Sequence, residues 1–258
     1  MVENPEQVIH GIRFAMKALE IKCAKVGIED NKPDAIEAMK AAATEGIEIV
    51  ALPAKYPQGY EKMLIYALTG RRVPNGKLPS AVQCVVMNVA TASALSDAVR
   101  KGQPIIDRVV TVAGRVANPC NLRVRIGVDL LDVVDQAGGM TEGVRKLICG
   151  GPMMGKTMST LNTPITKNFS AFLPLGDESV SGEESACIRC GRCMRACPMG
   201  LAPAKMDALV RHGDYAGALA AGALICMECG SCTYSCPAKR DLLQAIKVAK
   251  ALGGNIKA

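Results

Sequence analysis

Residues 187–198 read CIRCGRCMRACP, and residues 226–237 read CMECGSCTYSCP. Laid over one another, both strings obey C-x2-C-x2-C-x3-C-P, the spacing of thiolate ligands to [4Fe-4S] clusters. Three thiolates at x2 spacing wrap a loop around one cuboid core so that each reaches a different iron. The fourth, carried off by three residues and a proline, reaches the neighbouring core. The spacing therefore assigns Cys187, Cys190, Cys193 and Cys236 to one cluster, and Cys226, Cys229, Cys232 and Cys197 to the second. Zinc also takes four thiolates, but two pairs of cysteines explain neither the third thiol of each run nor the proline.

Two adjacent cross-ligated clusters make a path for single electrons, which favours a relay over a scaffold. Between the runs, PAKMDALVRHG and DYAGALAAGALIC read as two helices, the first started by Pro203 and ended by Gly213. His212 suits the negative end of that helix better than a cluster. RDLLQAIKVAKALGG closes the chain as an amphipathic helix. Residues 187–258 are thus expected to form an α-helical dicluster ferredoxin domain. Cys23, Cys84, Cys120 and Cys149 lie scattered in apolar stretches and read as small core residues.

Working back from the cysteine runs, GDESVSGEESA (176–186) is acidic, small and aperiodic, so 157–186 is expected to be a linker. Before it, IIDRVVTVAGRV and LRVRIG read as two strands, VDLLDVVDQAGG as a short helix and RKLICGG as a third strand. Hairpin, helix, strand is the order of a β-grasp unit, placed at 104–156. The first 103 residues alternate helix and strand. NPEQVIHGIRFAMKALE, DAIEAMKAAATEG, YEKMLIYALTG and TASALSDAVRKG read as helices; KCAKVGIED, IEIVALP and QCVVMNV read as strands. That rhythm predicts an α/β domain with a parallel sheet, a partial Rossmann-like domain because no glycine-rich turn precedes Val26.

The chain has 258 residues, room for two or three cores. Its longest apolar run, AGALAAGALICM, falls short of the roughly 18 residues of a membrane helix. MVENPEQ is polar and acidic rather than a signal peptide, so a soluble, intracellular protein with no direct membrane span is expected. The formal charge of +7 is dispersed, and only eight aromatic residues are present, which excludes a base-stacking nucleic-acid surface. Two four-thiolate clusters at about −2 each would leave about +3.

GGPMMGKT (150–157) fits the phosphate-loop pattern G-x-x-x-x-G-K-[ST]. Such a loop needs a helix starting at once behind it. MSTLNTPITKNFSAFLPL is a poor helix, broken by Pro164 and lacking an apolar stripe. GGPMMG is therefore expected to be a turn leaving the last β-grasp strand, with Lys156 in solvent.

YPQGYEKMLIYALTGRRVP, NVATASA, NPCNLRVRIG, GGPMMG and the two cysteine runs together closely resemble the C-subunit of the Rnf complex, over essentially the whole chain. The resemblance implies a peripheral component, on the cytoplasmic face of the membrane, of an ion-translocating ferredoxin:NAD+ oxidoreductase. It implies two [4Fe-4S] clusters, FMN, and as partners the other Rnf subunits and ferredoxin-type electron carriers. Within it, NVATASA matches an Asn-Val-x-Thr motif at the FMN site, so Asn88 and Thr91 become candidate contacts to flavin phosphate or ribityl oxygens. A turn with Asn88 as helix cap is the alternative for those two. Family members carry the glycine-rich FMN and NADH lobe upstream of the segment resembling NPEQVIHGIRFAMKAL. The expectation is that this chain lacks it, is a truncated form, and holds NADH only if that lobe is supplied. An alternative with the same architecture is a self-contained flavin and iron-sulfur reductase resembling a cobalamin reductase.

Overall fold

The computed structural model describes residues 1–177 and 182–253. Part of the acidic stretch expected to be a linker, and the last five residues, lie outside them. The chain divides into two compact units, Met1–Ile106 and Asp107–Ala258.

In the first unit, proline at the first helical turn starts both α1 (Pro5–Ala18) and α2 (Pro33–Ala42). Strands β1 (Ala24–Glu29) and β2 (Ile47–Leu52) pair in parallel, from Ala24 opposite Ile47 to Glu29 opposite Leu52. Helix α2 is the crossover that parallel pairing requires. Helix α3 (Glu61–Thr69) ends at Gly70, whose φ of 70° supplies the left-handed cap, and α4 (Val89–Lys101) follows. Val8 and Ile9 of α1, Met39 of α2, Ile28 and Ile47 of the strands and Ala92 of α4 make one buried core.

QCVVMNV, expected to be a third strand, pairs with no strand among the described residues. Gln83 is turned left-handed (φ 54°) at the end of a 3-10 turn, Pro79–Val82, and Val85 stands exposed. Apolar content alone cannot make a strand without a neighbouring edge to pair with. Cys23, expected in the core, is exposed.

The second unit opens with a mixed five-stranded sheet. Its strands are β3 (Asp107–Val112), β4 (Cys120–Arg125), β5 (Lys146–Cys149), β6 (Lys156–Met158) and β7 (Ala171–Leu175), in spatial order β4-β3-β7-β5-β6. β3 is antiparallel to β4 and parallel to β7; β5 is antiparallel to both β6 and β7. Helix α5 (Leu130–Gln136) packs Leu130, Val133 and Val134 on Val110, Val112 and Phe172. All of β7, and β6 after its first residue, come from the stretch expected to be a linker, and β7 lies at the sheet's centre. Its AFLPL contains a proline, which disguises a central strand; Phe172 is fully buried there. GGPMMG is the hairpin turn between β5 and β6, so a strand and not a helix follows it. Lys156 is exposed, and the phosphate-loop context is absent from this loop.

The helical remainder comprises α6 (Arg192–Arg195), α7 (Pro203–Arg211), α8 (Tyr215–Ala220), α9 (Ser231–Tyr234) and α10 (Leu242–Gly253). Met206, Ala218, Ala223, Ile246 and Ala249 form its core. His212 closes α7, as its position in the sequence suggested.

Glycine at position 11 is a packing requirement. A Cβ there would stand 1.7 Å from the Ala92 carbonyl oxygen on α4. Gly11→Ala is expected to destabilise the first unit by about 1–3 kcal/mol and to speed amide exchange in α1 and α4. Gly59→Ala, whose added Cβ meets nothing within 4 Å, should leave exchange unchanged.

Candidate metal centre

The two cysteine runs fold as one unit used twice. Arg189 and Glu228, each two residues after the first cysteine, are left-handed (φ 55° and 60°), as are Gly191 and Gly230 two residues further on (73° and 80°). Each glycine caps a single helical turn, α6 or α9, that carries the third cysteine. The fourth cysteine follows, and its carbonyl accepts from an N–H three residues on: Gly200 to Cys197 at 3.1 Å, Lys239 to Cys236 at 3.2 Å. Both donors are again left-handed, at 65° and 54°. A longer helix then starts at the same offset in each copy, α7 at Pro203 and α10 at Leu242. Left-handed turns aim successive thiols inward, where a helix or strand would splay them.

This duplication pairs the thiols across the copies. Cys187, Cys190, Cys193 and Cys236 line one cavity, together with Arg240 and Leu242. Cys226, Cys229, Cys232 and Cys197 line another, together with Pro198, Met227 and Leu243. Among the described residues no three His, Cys, Asp or Glu side chains are gathered tightly enough for a single metal ion. Each quartet instead surrounds a volume. The cavities are neighbours: Cys193 of one quartet and Cys232 of the other share an apolar cluster with Leu242, against which Cys236 packs.

The quartets differ in environment. Cys187 and Cys190 are exposed, whereas Cys229 and Cys232 are buried. Burial pushes the Cys232 thiol up to about 11. It raises Cys226 too, against the opposing pull of the Glu228 N–H and the Lys250 ammonium. Polar groups already approach the sulfurs. Leu201 N donates to Cys197 Sγ and Glu228 N to Cys226 Sγ, both at 3.4 Å. Lys250 Nζ ties α10 to the second loop through the Cys226 carbonyl (2.7 Å) and the Glu228 carboxylate (2.6 Å).

Sequence reasoning missed the charged residues that support the first quartet. Asp207 on α7 is buried and accepts from Arg211 Nε at 2.9 Å and Arg240 Nε at 2.7 Å. Removing one partner of such a buried pair costs on the order of 3–5 kcal/mol. The available signal was an acid inside the apolar face of PAKMDALVR with an arginine four residues on.

Asn88 and Thr91 belong to the first unit, at the start of α4. The Asn88 side-chain oxygen caps that helix by accepting from Ala90 N at 2.9 Å. Thr91 lies in the first turn, and both residues are exposed. The helix-cap alternative thus holds for Asn88, while its amide NH2 and the Thr91 hydroxyl are unengaged among the described residues.

Comparison with known proteins follows the same division. Residues 1–97 match the model of the Nuo51 FMN-binding domain, 109–157 the SLBB domain, and 186–240 the 4Fe-4S dicluster domain. The C-subunit of the proton-translocating ferredoxin:NAD(+) oxidoreductase complex of Clostridium ljungdahlii is 51% identical over 219 residues, 83% of this chain and 48% of that protein. Its Na(+)-translocating counterpart in Acetobacterium woodii is 42% identical over 254 residues, 97% of this chain and 57% of that protein. The chain belongs to the Rnf C-subunit family. It spans about half the length of the curated family members it matches. Crystal structures of an NAD+-reducing [NiFe]-hydrogenase, H2-reduced and air-oxidised, share its fold with TM-scores of 0.60 and 0.61 at 19% and 20% identity. They cover 95% and 94% of this chain, which in turn covers 52% of each of theirs.

The burial difference sets an order of thiol reactivity. In the metal-free chain at pH 8, iodoacetamide is expected to modify the exposed Cys23, Cys187 and Cys190 first and Cys232 last. The Cys232 rate should then climb as pH approaches 11, because only the thiolate attacks. Peptide mass spectrometry across a pH series reads the order directly.

Proposed function

We propose that this chain is the electron-relaying part of an Rnf-type ferredoxin:NAD+ oxidoreductase, passing single electrons between a flavin and NADH site and partner subunits. One observation carries the reading: two thiol quartets, each completed by a cysteine from the other run, line neighbouring cavities. A ring of thiols around a volume suits a polynuclear core, whereas zinc draws four sulfurs to one point at about 2.3 Å. Each quartet would hold one [4Fe-4S] cluster, a centre that supplies reversible one-electron chemistry at a potential set by its surroundings.

The chain's own part is to bind, orient and insulate. The left-handed turns present the thiols, Leu201 N donates to Cys197 Sγ, and the Glu228 N–H favours the thiolate form of Cys226. Leu242 and Leu243, consecutive on α10, face the two cavities and keep the wall between them apolar. The exposed Cys187 quartet is the end that a partner subunit or a ferredoxin-type carrier could approach; the buried quartet is the inner station.

The first unit is read as a partial Rossmann-like flavin domain and the five-stranded sheet with α5 as a β-grasp. Asn88 and Thr91 are proposed to meet an anionic flavin oxygen, where the α4 N-terminus adds its positive dipole end. Two side chains are part of a flavin site, so NADH binding would need further chain. Among the described residues no helix is long and apolar enough to cross a membrane. Attachment would come from partner subunits at the cytoplasmic face.

The test is substitution of the crossing thiols. After anaerobic reconstitution, the wild-type chain is expected to hold about eight irons. Cys197→Ala should lose the signal of the Cys226, Cys229 and Cys232 cluster, and Cys236→Ala that of the Cys187 cluster, each retaining about four irons. Loss of the Cys187 cluster in Cys197→Ala would overturn the pairing.

A further inference from the structure

Two acids and two guanidinium groups gather beside the first quartet without being thiol ligands. Asp207 is 1% exposed, and its two carboxylate oxygens are divided between two arginines. Oδ1 accepts from Arg211 Nε at 2.9 Å; Oδ2 accepts from Arg240 Nε at 2.7 Å and from a second Arg240 nitrogen at 2.5 Å. Glu184 completes the ring, bonded to Arg211 and 3.4 Å from Arg240. Arg240 also donates to the Ser185 carbonyl at 3.5 Å, while Ser185 N donates to the Ala238 carbonyl at 3.0 Å.

These bonds join three segments that the first quartet needs together. Glu184 and Ser185 lead into Cys187. Ala238 and Arg240 follow Cys236. Asp207 and Arg211 belong to α7, which lies between the runs. The network therefore fastens the first and last thiols of the quartet from outside. It also has an inside face: Arg240, and not Asp207, forms part of the cavity wall beside Cys187, Cys190, Cys193 and Cys236. The Arg240 side chain is only 12% exposed, so water screens its charge weakly.

We propose that Asp207 and Arg240 are positioning residues for the first cluster. Asp207 holds Arg240, and Arg240 both locks the segment after Cys236 onto the one before Cys187 and presents a cation to that cavity alone. Reduction adds a negative charge, which a fixed neighbouring cation favours. Arg240 thereby raises the potential of the Cys187 cluster relative to the Cys226 cluster. Lys250 near the second quartet is paired with Glu228 as Arg240 is with Asp207, but among the described residues no Lys or Arg side chain lines the second cavity, whereas Arg240 lines the first. The inference rests on the two-cluster reading above.

The experiment is a redox titration followed by electron paramagnetic resonance on the full reconstituted chain, the two signals being assigned with Cys197→Ala and Cys236→Ala. Arg240→Gln is expected to move the Cys187 cluster's midpoint to a more negative value and leave the other in place. Arg240→Lys, which keeps the charge and loses the fork, should return it toward wild type. Asp207→Asn should lose about half the iron, from the Cys187 cluster first. A shift of neither midpoint in Arg240→Gln, or equal shifts of both, overturns the proposal, and the two arginine variants decide it even if Asp207→Asn does not fold. A wild-type chain that takes up no cluster would instead overturn the two-cluster reading, and this inference with it.

Discussion

A loop can wrap three thiols around a cuboid core and then runs out of geometry. The fourth corner has to be reached from elsewhere, and in this chain the fourth cysteine of each copy lines the cavity of the other. That one constraint accounts for much of the helical part. Both loops must face one another, so their single-turn helices, α6 and α9, bring Cys193 and Cys232 into one apolar cluster with Leu242. Both fourth cysteines must leave their own loop, which the turn after each of them arranges. The helices that follow, α7 and α10, start at matching offsets because they belong to the same repeated unit.

What one copy does by itself, the pair does unequally. α7 is followed by α8 and a 3-10 turn that lead into the second run; α10 packs back over that insert through Ile246 and Ala249. The second quartet is thereby covered, with Cys229 and Cys232 buried. The first is reached by an exposed arm, residues 184–187, and charged groups brace it in addition to the apolar contacts of Cys193 and Cys236. Asp207 is the pivot of that solution: an acid sits in the core only because two guanidinium groups satisfy both of its oxygens.

The dicluster domain was legible in the sequence because the rule of its cysteine runs is one of spacing, and spacing survives without knowledge of tertiary contacts. The hairpin, α5 and β5 were legible by periodicity. β7 was not, since proline and a short apolar run look like loop until a sheet surrounds them, and so the expected linker at 157–186 is in part the middle of a sheet. QCVVMNV failed in the opposite sense. It has the composition of a strand, but among the described residues β1 and β2 pair only with each other. The Asp207 network was hidden because no local pattern joins residues 184, 207, 211 and 240; only the fold brings them together.

GGPMMGKT shows how a pattern can be met for reasons other than its usual chemistry. Its glycines answer to packing. Gly150 takes φ 101°, and a Cβ on Gly155 would stand 2.4 Å from Ile148 and 2.5 Å from the Gly151 carbonyl, so the β5–β6 turn closes only with glycine at both places. The same turn brings the Met153 carbonyl to within 3.1 Å of where a Cβ on Gly230 would be. Gly230 is the left-handed cap that starts α9 and precedes Cys232, so the turn abuts the loop of the buried quartet. A larger residue at 230 would be strained by its φ and crowded by Met153 together. The glycines that resemble a phosphate cradle are there because one tight turn must close on itself and lie flush against another.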